Sequence, residues 1–134
     1  SKQGITSPPG DPAYNVAKSG VKTFSELLAP EIRETDPLVS PHLLIPGFPF
    51  TTLTQRAWVE NPAGAWEPEQ VADTLVEGMA AGDCDILCPD NEVSRALDAK
   101  RMEWAMGDLI HNRPPLSRWH PDWGDKFAAF AKGD

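Results

Sequence analysis

The chain is expected to adopt an α/β fold built on a parallel sheet. Two observations lead there. Stretches with apolar residues at three- and four-residue spacing alternate with short, continuously apolar runs, and such runs suit strands buried on both faces. The resulting order of loop, helix, strand, helix, strand, helix implies parallel pairing with right-handed crossovers. A length of 134 residues with 40% hydrophobic content suffices for one compact domain and not two.

The first twelve residues carry Gly4, Pro8, Pro9, Gly10 and Pro12 and are expected to form a loop. Asp11 can cap a helix with Pro12 at its first position, and Tyr14, Ala17, Val21, Phe24, Leu28 and Ile32 then recur at helical spacing. This predicts an amphipathic helix over residues 12–35, with a kink or change of direction at Pro30. Residues 39–45 read as a buried strand that stops at Pro46-Gly47.

Residues 51–66 hold Leu53, Trp58 and Trp66 among polar neighbours and read as an irregular or helical lid. Glu67-Pro68-Glu69 opens a helix through Val71, Leu75, Val76 and Met79 that stops at Gly82. A second strand is expected over residues 85–88. A helix over residues 92–111 follows, with Val93, Leu97, Trp104, Leu109 and Ile110 inward, and Arg113-Pro114-Pro115 ends it. The tail from Leu116 onward carries Trp119, Trp123, Phe127 and Phe130, an aromatic content that predicts packing onto the body.

Composition excludes several classes. The net charge of −8, from 20 acidic against 12 basic residues, comes without the clustered Lys/Arg stripe that nucleic acid requires. Apolar runs such as Leu43-Leu44-Ile45 and Ile86-Leu87-Cys88 fall far short of the roughly 20 residues that span a bilayer. Nothing at the start resembles a signal peptide. With only Cys84 and Cys88, no disulfide framework is expected, and a reducing, cytoplasmic setting is. The chain opens at Ser1, without Met, inside what reads as a loop, as a severed or processed piece would.

The chemistry centres on the chain's one tyrosine. Tyr14 and Lys18 are four apart on a helix, so both side chains leave the same face. A lysine ammonium beside a phenol stabilises the phenolate, which a tyrosine general acid/base needs. Ser1 stands thirteen residues before Tyr14, and its hydroxyl could hold a carbonyl or alcohol substrate by hydrogen bond. The pattern is Ser-x12-Tyr-x3-Lys. Pro46-Gly47 follows an apolar strand 32 residues past Tyr14. Read in isolation, Tyr14 is a core tyrosine, Lys18 a solvated helix lysine and Pro46-Gly47 an ordinary turn.

Taken together, the order and spacing closely resemble the active-site signature of the short-chain dehydrogenase/reductase family. Gly4, Ala17 and Gly20 also stand where that family commonly places small residues. The resemblance implies the C-terminal half of a Rossmann-type doubly wound parallel sheet over residues 1–112, with about two strands and three or four helices, and a C-terminal aromatic-rich extension over 113–134. It implies hydride transfer between NAD or NADP and a small-molecule alcohol or ketone. Ser1, Tyr14 and Lys18 would be catalytic, Tyr14 exchanging the proton. Tyr14, Lys18, Pro46, Gly47 and Thr51 would meet the cofactor. Thr51 occupies the family position that bonds the nicotinamide carboxamide. Where the family has a Val or Ile whose backbone N–H reaches the same group, this chain has Pro49, which lacks one.

The Gly-rich phosphate turn, the residue that reads the ribose 2′ position and the family's active-site Asn all belong to an N-terminal half that these residues do not include. That half is the implied partner, and the intact protein is expected to be a homo-oligomer, with no role for nucleic acid or membrane. A non-catalytic reading also stands: the same helices could serve only as a packing or oligomerisation surface. Cys84-x3-Cys88 with His111 or His120 sits at the edge of zinc-ligand spacing, and two small buried hydrophobes are expected there, with no metal site. His42, alone near a strand, is assigned no role.

Overall fold

The computed structural model describes residues 1–54 and 60–133. Among these, helix α1 (Gln3–Thr6) precedes α2 (Pro12–Thr35), strand β1 (Leu43–Ile45), α3 (Pro68–Ala81), β2 (Asp85–Leu87), α4 (Arg95–Ile110), a 3₁₀ turn (Ser117–Trp119) and α5 (Gly124–Lys132). The architecture is mixed α/β with a two-stranded parallel sheet, which is the coarse fold class the sequence predicts.

The sheet pairs Leu43 with Asp85, Leu44 with Ile86 and Ile45 with Leu87. Leu43 N–H donates to Cys84 O at 2.7 Å and Cys88 N–H to Ile45 O at 3.0 Å, extending the ladder past both ends. Leu43, Ile45 and Leu87 form the buried core, and Ile5 of α1 and Met102 of α4 pack against it. Burial of each such side chain contributes about 1.5–3 kcal/mol. The expected strand over 39–45 is shorter because Asp36 organises a turn before it, its carboxylate accepting from Leu38 N–H at 3.0 Å. Pro41 also has no N–H for a ladder.

Local chemistry explains the helix boundaries. Asp11 Oδ1 accepts from Tyr14 N–H at 3.0 Å, capping α2 with Pro12 at the first position. The helix runs on through Pro30 to Thr35, so that proline does not end it. Glu67 and Gln70 form a capping box on α3, and Gly82 closes it with φ of 79°, a left-handed geometry costly for other residues. Helix α4 begins later than expected because Ser94 is its cap, its hydroxyl accepting from Leu97 N–H at 3.2 Å.

Four expectations are corrected. The proline-rich start is not all loop: prolines begin only at residue 8, leaving Gln3–Thr6 free to form α1. Leu109 and Ile110 are 80% and 68% exposed, so the inward face of α4 ends near Gly107. On α2, Tyr14, Val21 and Phe24 are likewise exposed, the last at 62%, so most of its apolar stripe is uncovered. Cys84 is exposed, because it lies in the turn after Gly82, before β2 begins; Cys88 is buried as expected.

The aromatic tail packs onto the body as its composition suggests. Buried Trp104 on α4 meets Trp123, Phe127 and Phe130 at ring-centroid separations of 6.3, 5.5 and 5.2 Å. Its Nε1–H donates to Ser117 Oγ at 2.8 Å, and Ser117 in turn donates to Asp108 Oδ1 at 2.5 Å. Arg113 stacks 4.0 Å from the Trp104 ring and pairs with Asp108 at 3.0 Å. The Trp104 N–H, the Ser117 hydroxyl and the Asp108 carboxylate are joined in one hydrogen-bonded chain, which suits the burial of the Trp104 ring. Of the expected lid, Trp58 lies outside the described residues, and Leu53 is exposed.

Candidate functional site

Ser1, Tyr14, Lys18, Pro46 and Gly47 line one cleft of about 230 Å³, with Ile5, Leu43 and Pro49 among its other walls. Three separate segments deliver them. Helix α2 supplies Tyr14 and Lys18 from one face, with the Lys18 ammonium 5.2 Å from the centroid of the Tyr14 ring. The end of β1 brings Pro46-Gly47 opposite. The two residues ahead of α1 bring Ser1, whose Oγ accepts from Gln3 N–H at 3.3 Å.

Helix α1 is pressed onto α2 at the level of Lys18. A Cβ at Gly4 would lie 2.6–2.8 Å from the Lys18 backbone and Cβ, so no larger residue fits without moving the two helices apart. Ser19 Oγ donates to Gly4 O at 2.8 Å across the same contact. From α2, Asn15 Nδ2 donates to Pro8 O at 2.7 Å, tying the preceding loop to the helical turn that contains Tyr14. The approach of α1 to α2 therefore sets how Ser1 stands to Lys18.

Lys2 secures the other side. Its N–H donates to Pro46 O at 3.2 Å, and its ammonium pairs with Asp98 at 2.5 Å and Asp90 at 3.4 Å. The Asp98 side chain is nearly buried, and removing one partner of such a pair costs about 3–5 kcal/mol. Sequence reasoning missed this anchor. Asp90 and Asp98 lie some ninety residues from Lys2, and no local spacing announces the pairing.

Thr51 is not among the residues lining the cleft. Its N–H donates to Thr54 Oγ1 at 2.7 Å, and its carbonyl accepts from the same hydroxyl at 3.0 Å, within a small turn. Pro49 sits in a parallel bridge to Trp66: Phe50 N–H donates to Trp66 O at 2.8 Å and Trp66 N–H to Phe48 O at 2.9 Å. The bridge uses the groups on either side of Pro49 and none of its own, which is why a proline is tolerated there.

The two cysteines differ in environment. Burial pushes the Cys88 thiol above its ordinary range, partly opposed by the Lys2 charge. Because the folded chain favours the protonated thiol, this contribution to stability is complete below the unfolded thiol's pKa of about 8.5 and is lost as pH climbs through the raised folded value. Iodoacetamide at pH 8 is expected to label Cys84 quickly and Cys88 only after denaturation, as peptide mapping would show. Urea unfolding should show a loss of stability above about pH 8.5 that is smaller in Cys88→Ala. Labelling of both thiols at equal rates would contradict the burial. Among the described residues, no group of three His, Cys, Asp or Glu is placed to hold a metal ion, and no helix is long and apolar enough to cross a membrane.

No protein-family model, curated protein or solved structure matches this chain. Any functional reading therefore rests on the residues of the cleft.

Proposed function

We propose that this chain is the catalytic half of an NAD(P)-dependent oxidoreductase of the short-chain dehydrogenase/reductase type, interconverting an alcohol and a carbonyl. One observation carries the reading: five residues selected from a sequence pattern, lying on three separate segments, line a single cleft. The Ser1 hydroxyl holds the substrate oxygen by hydrogen bond. Tyr14 gives up or takes the proton at that oxygen. The Lys18 ammonium places a positive charge against the ring that bears the phenolate once the proton has gone. The bound nicotinamide supplies the hydride chemistry.

The residues fit one end of that cofactor only. A cleft of about 230 Å³ lies below the roughly 300–1,000 Å³ of ordinary ligand pockets. Pro46-Gly47 would face the nicotinamide ring and Lys18 the ribose beside it. Pro49 offers no N–H to the carboxamide. The Gly-rich turn that receives a pyrophosphate would come from an N-terminal half joined to this one.

The test is Lys18→Met in the intact enzyme, assayed by formation of reduced nicotinamide with a panel of small alcohols. Loss of the ammonium is expected to lower turnover by about 10²–10³ and to weaken cofactor binding. Near-normal turnover would sink the reading.

A second reading is favoured by the exposed face of α2, where Val16, Phe24 and Leu27 are 72%, 62% and 61% exposed. Here the chain is a non-catalytic piece whose helices serve as a packing or oligomerisation surface, and Lys18→Met would change no activity.

A further inference from the structure

The contact between α4 and the C-terminal segment leaves a second cavity of about 310 Å³, which shares no lining residue with the cleft. Its walls are mostly apolar, built from Trp104, Leu109, Leu116 and Trp119, and three arginines, Arg101, Arg113 and Arg118, also line it. Around Arg101 and Arg118, at the edge of this cavity, the charges do not balance. Lys2 is held by Asp98 and Asp90. Arg101 has only a 3.6 Å contact to the already paired Asp98, beyond hydrogen-bond reach, and its Nε is shielded from solvent without a partner. Arg118 makes no ion pair among the described residues and instead stacks near Trp119 and Phe127. Three cations thus face two carboxylates. The cavity's own carboxylate adds nothing free, since Asp108 is taken up by Arg113 and Ser117.

We propose that this cavity binds a small organic carboxylate, with its head group at Arg101 and Arg118 and its apolar body against Trp104, Leu109 and Trp119. A guanidinium fork matches a carboxylate in two parallel hydrogen bonds. One unmatched positive charge suits a monoanion better than a phosphate monoester, which carries about −1.5 to −2 near pH 7. The aromatic and aliphatic walls suit a ligand with a hydrocarbon body, and a bare inorganic anion would leave them empty. Burial, and then the like charge of Arg101, hold the Arg118 guanidinium below its usual range, a cost that an arriving anion relieves.

The experiment titrates the full chain with octanoate and follows tryptophan fluorescence, since two of the walls are indoles. 1-Octanol and inorganic phosphate serve as comparators. Octanoate is expected to saturate, with each comparator at least about tenfold weaker, because each lacks one half of the recognition. Arg118→Gln removes a fork, and Leu109→Glu sets a negative charge at the rim. Leu109 is 80% exposed, so this second change spares the fold even if the first does not, and circular dichroism verifies it. Both variants are expected to weaken octanoate by about tenfold or more. No saturable signal, equal binding of octanol or phosphate, or unchanged octanoate affinity in Leu109→Glu would each overturn the proposal.

Discussion

Tyr14→Phe in the intact protein is expected, on the proposed oxidoreductase mechanism, to lower turnover by a factor of about 10²–10⁴, the range over which general acid/base catalysis operates. The substitution isolates the chemistry from the packing. Tyr14 is 37% exposed, and among the described residues its hydroxyl has no hydrogen-bond partner, so deleting the oxygen strands no buried group. The ring stays, and with it the contact to the Lys18 ammonium. Thermal stability should therefore shift by no more than about 0.5 kcal/mol, as for a surface substitution. The paired measurement of turnover and melting separates the two proposed functions. A large loss of turnover at constant stability belongs to a proton donor. Retention of turnover would remove Tyr14 from the mechanism and leave the packing surface as the better reading.

The second large effect concerns the cofactor. Calorimetric titration of the 134-residue chain with NAD and NADP, each at millimolar concentration, is expected to show no saturable binding in the micromolar range. Dinucleotide affinity in Rossmann-type folds depends on a pyrophosphate seated against a helix N-terminus and on ribose contacts from the first βαβ unit. The cleft offers neither, and its volume of about 230 Å³ reaches one end of the molecule. Each tenfold loss of affinity corresponds to about 1.4 kcal/mol of missing contact, so a fall from micromolar to millimolar represents about 4 kcal/mol. Micromolar binding would reveal a cofactor site elsewhere in the chain and would overturn the proposal that it is half of an oxidoreductase.

The elements that the sequence announced share one property: their signals are local. Asp11-Pro12 starts α2, the Glu67/Gln70 pair starts α3 and Gly82 ends it, because a cap is satisfied within three or four residues of itself. The continuous apolar runs placed β1 and β2, and Tyr14 and Lys18 share a face simply through helical spacing. The aromatic tail was legible from composition, since so many rings require cover.

Burial and long-range pairing followed different causes. The stripe on α2 has the period of a buried face, yet periodicity says which residues align and nothing about whether a neighbour covers them; Phe24 is exposed for that reason. Thr51 stands at the spacing that the resemblance asks for, but a hydrogen-bonded turn with Thr54 lies there and Thr51 does not reach the cleft. The partners of Lys2, the fit of Gly4 against the Lys18 backbone and the unmatched arginines beneath the tail come only from segments brought together by the packing of α1, α2 and α4. Hydrogen-bonded caps and side-chain periods are short-range and leave a trace in neighbouring letters. Charge pairing and steric fit act through space between residues tens of positions apart, so they exist only once the chain has folded.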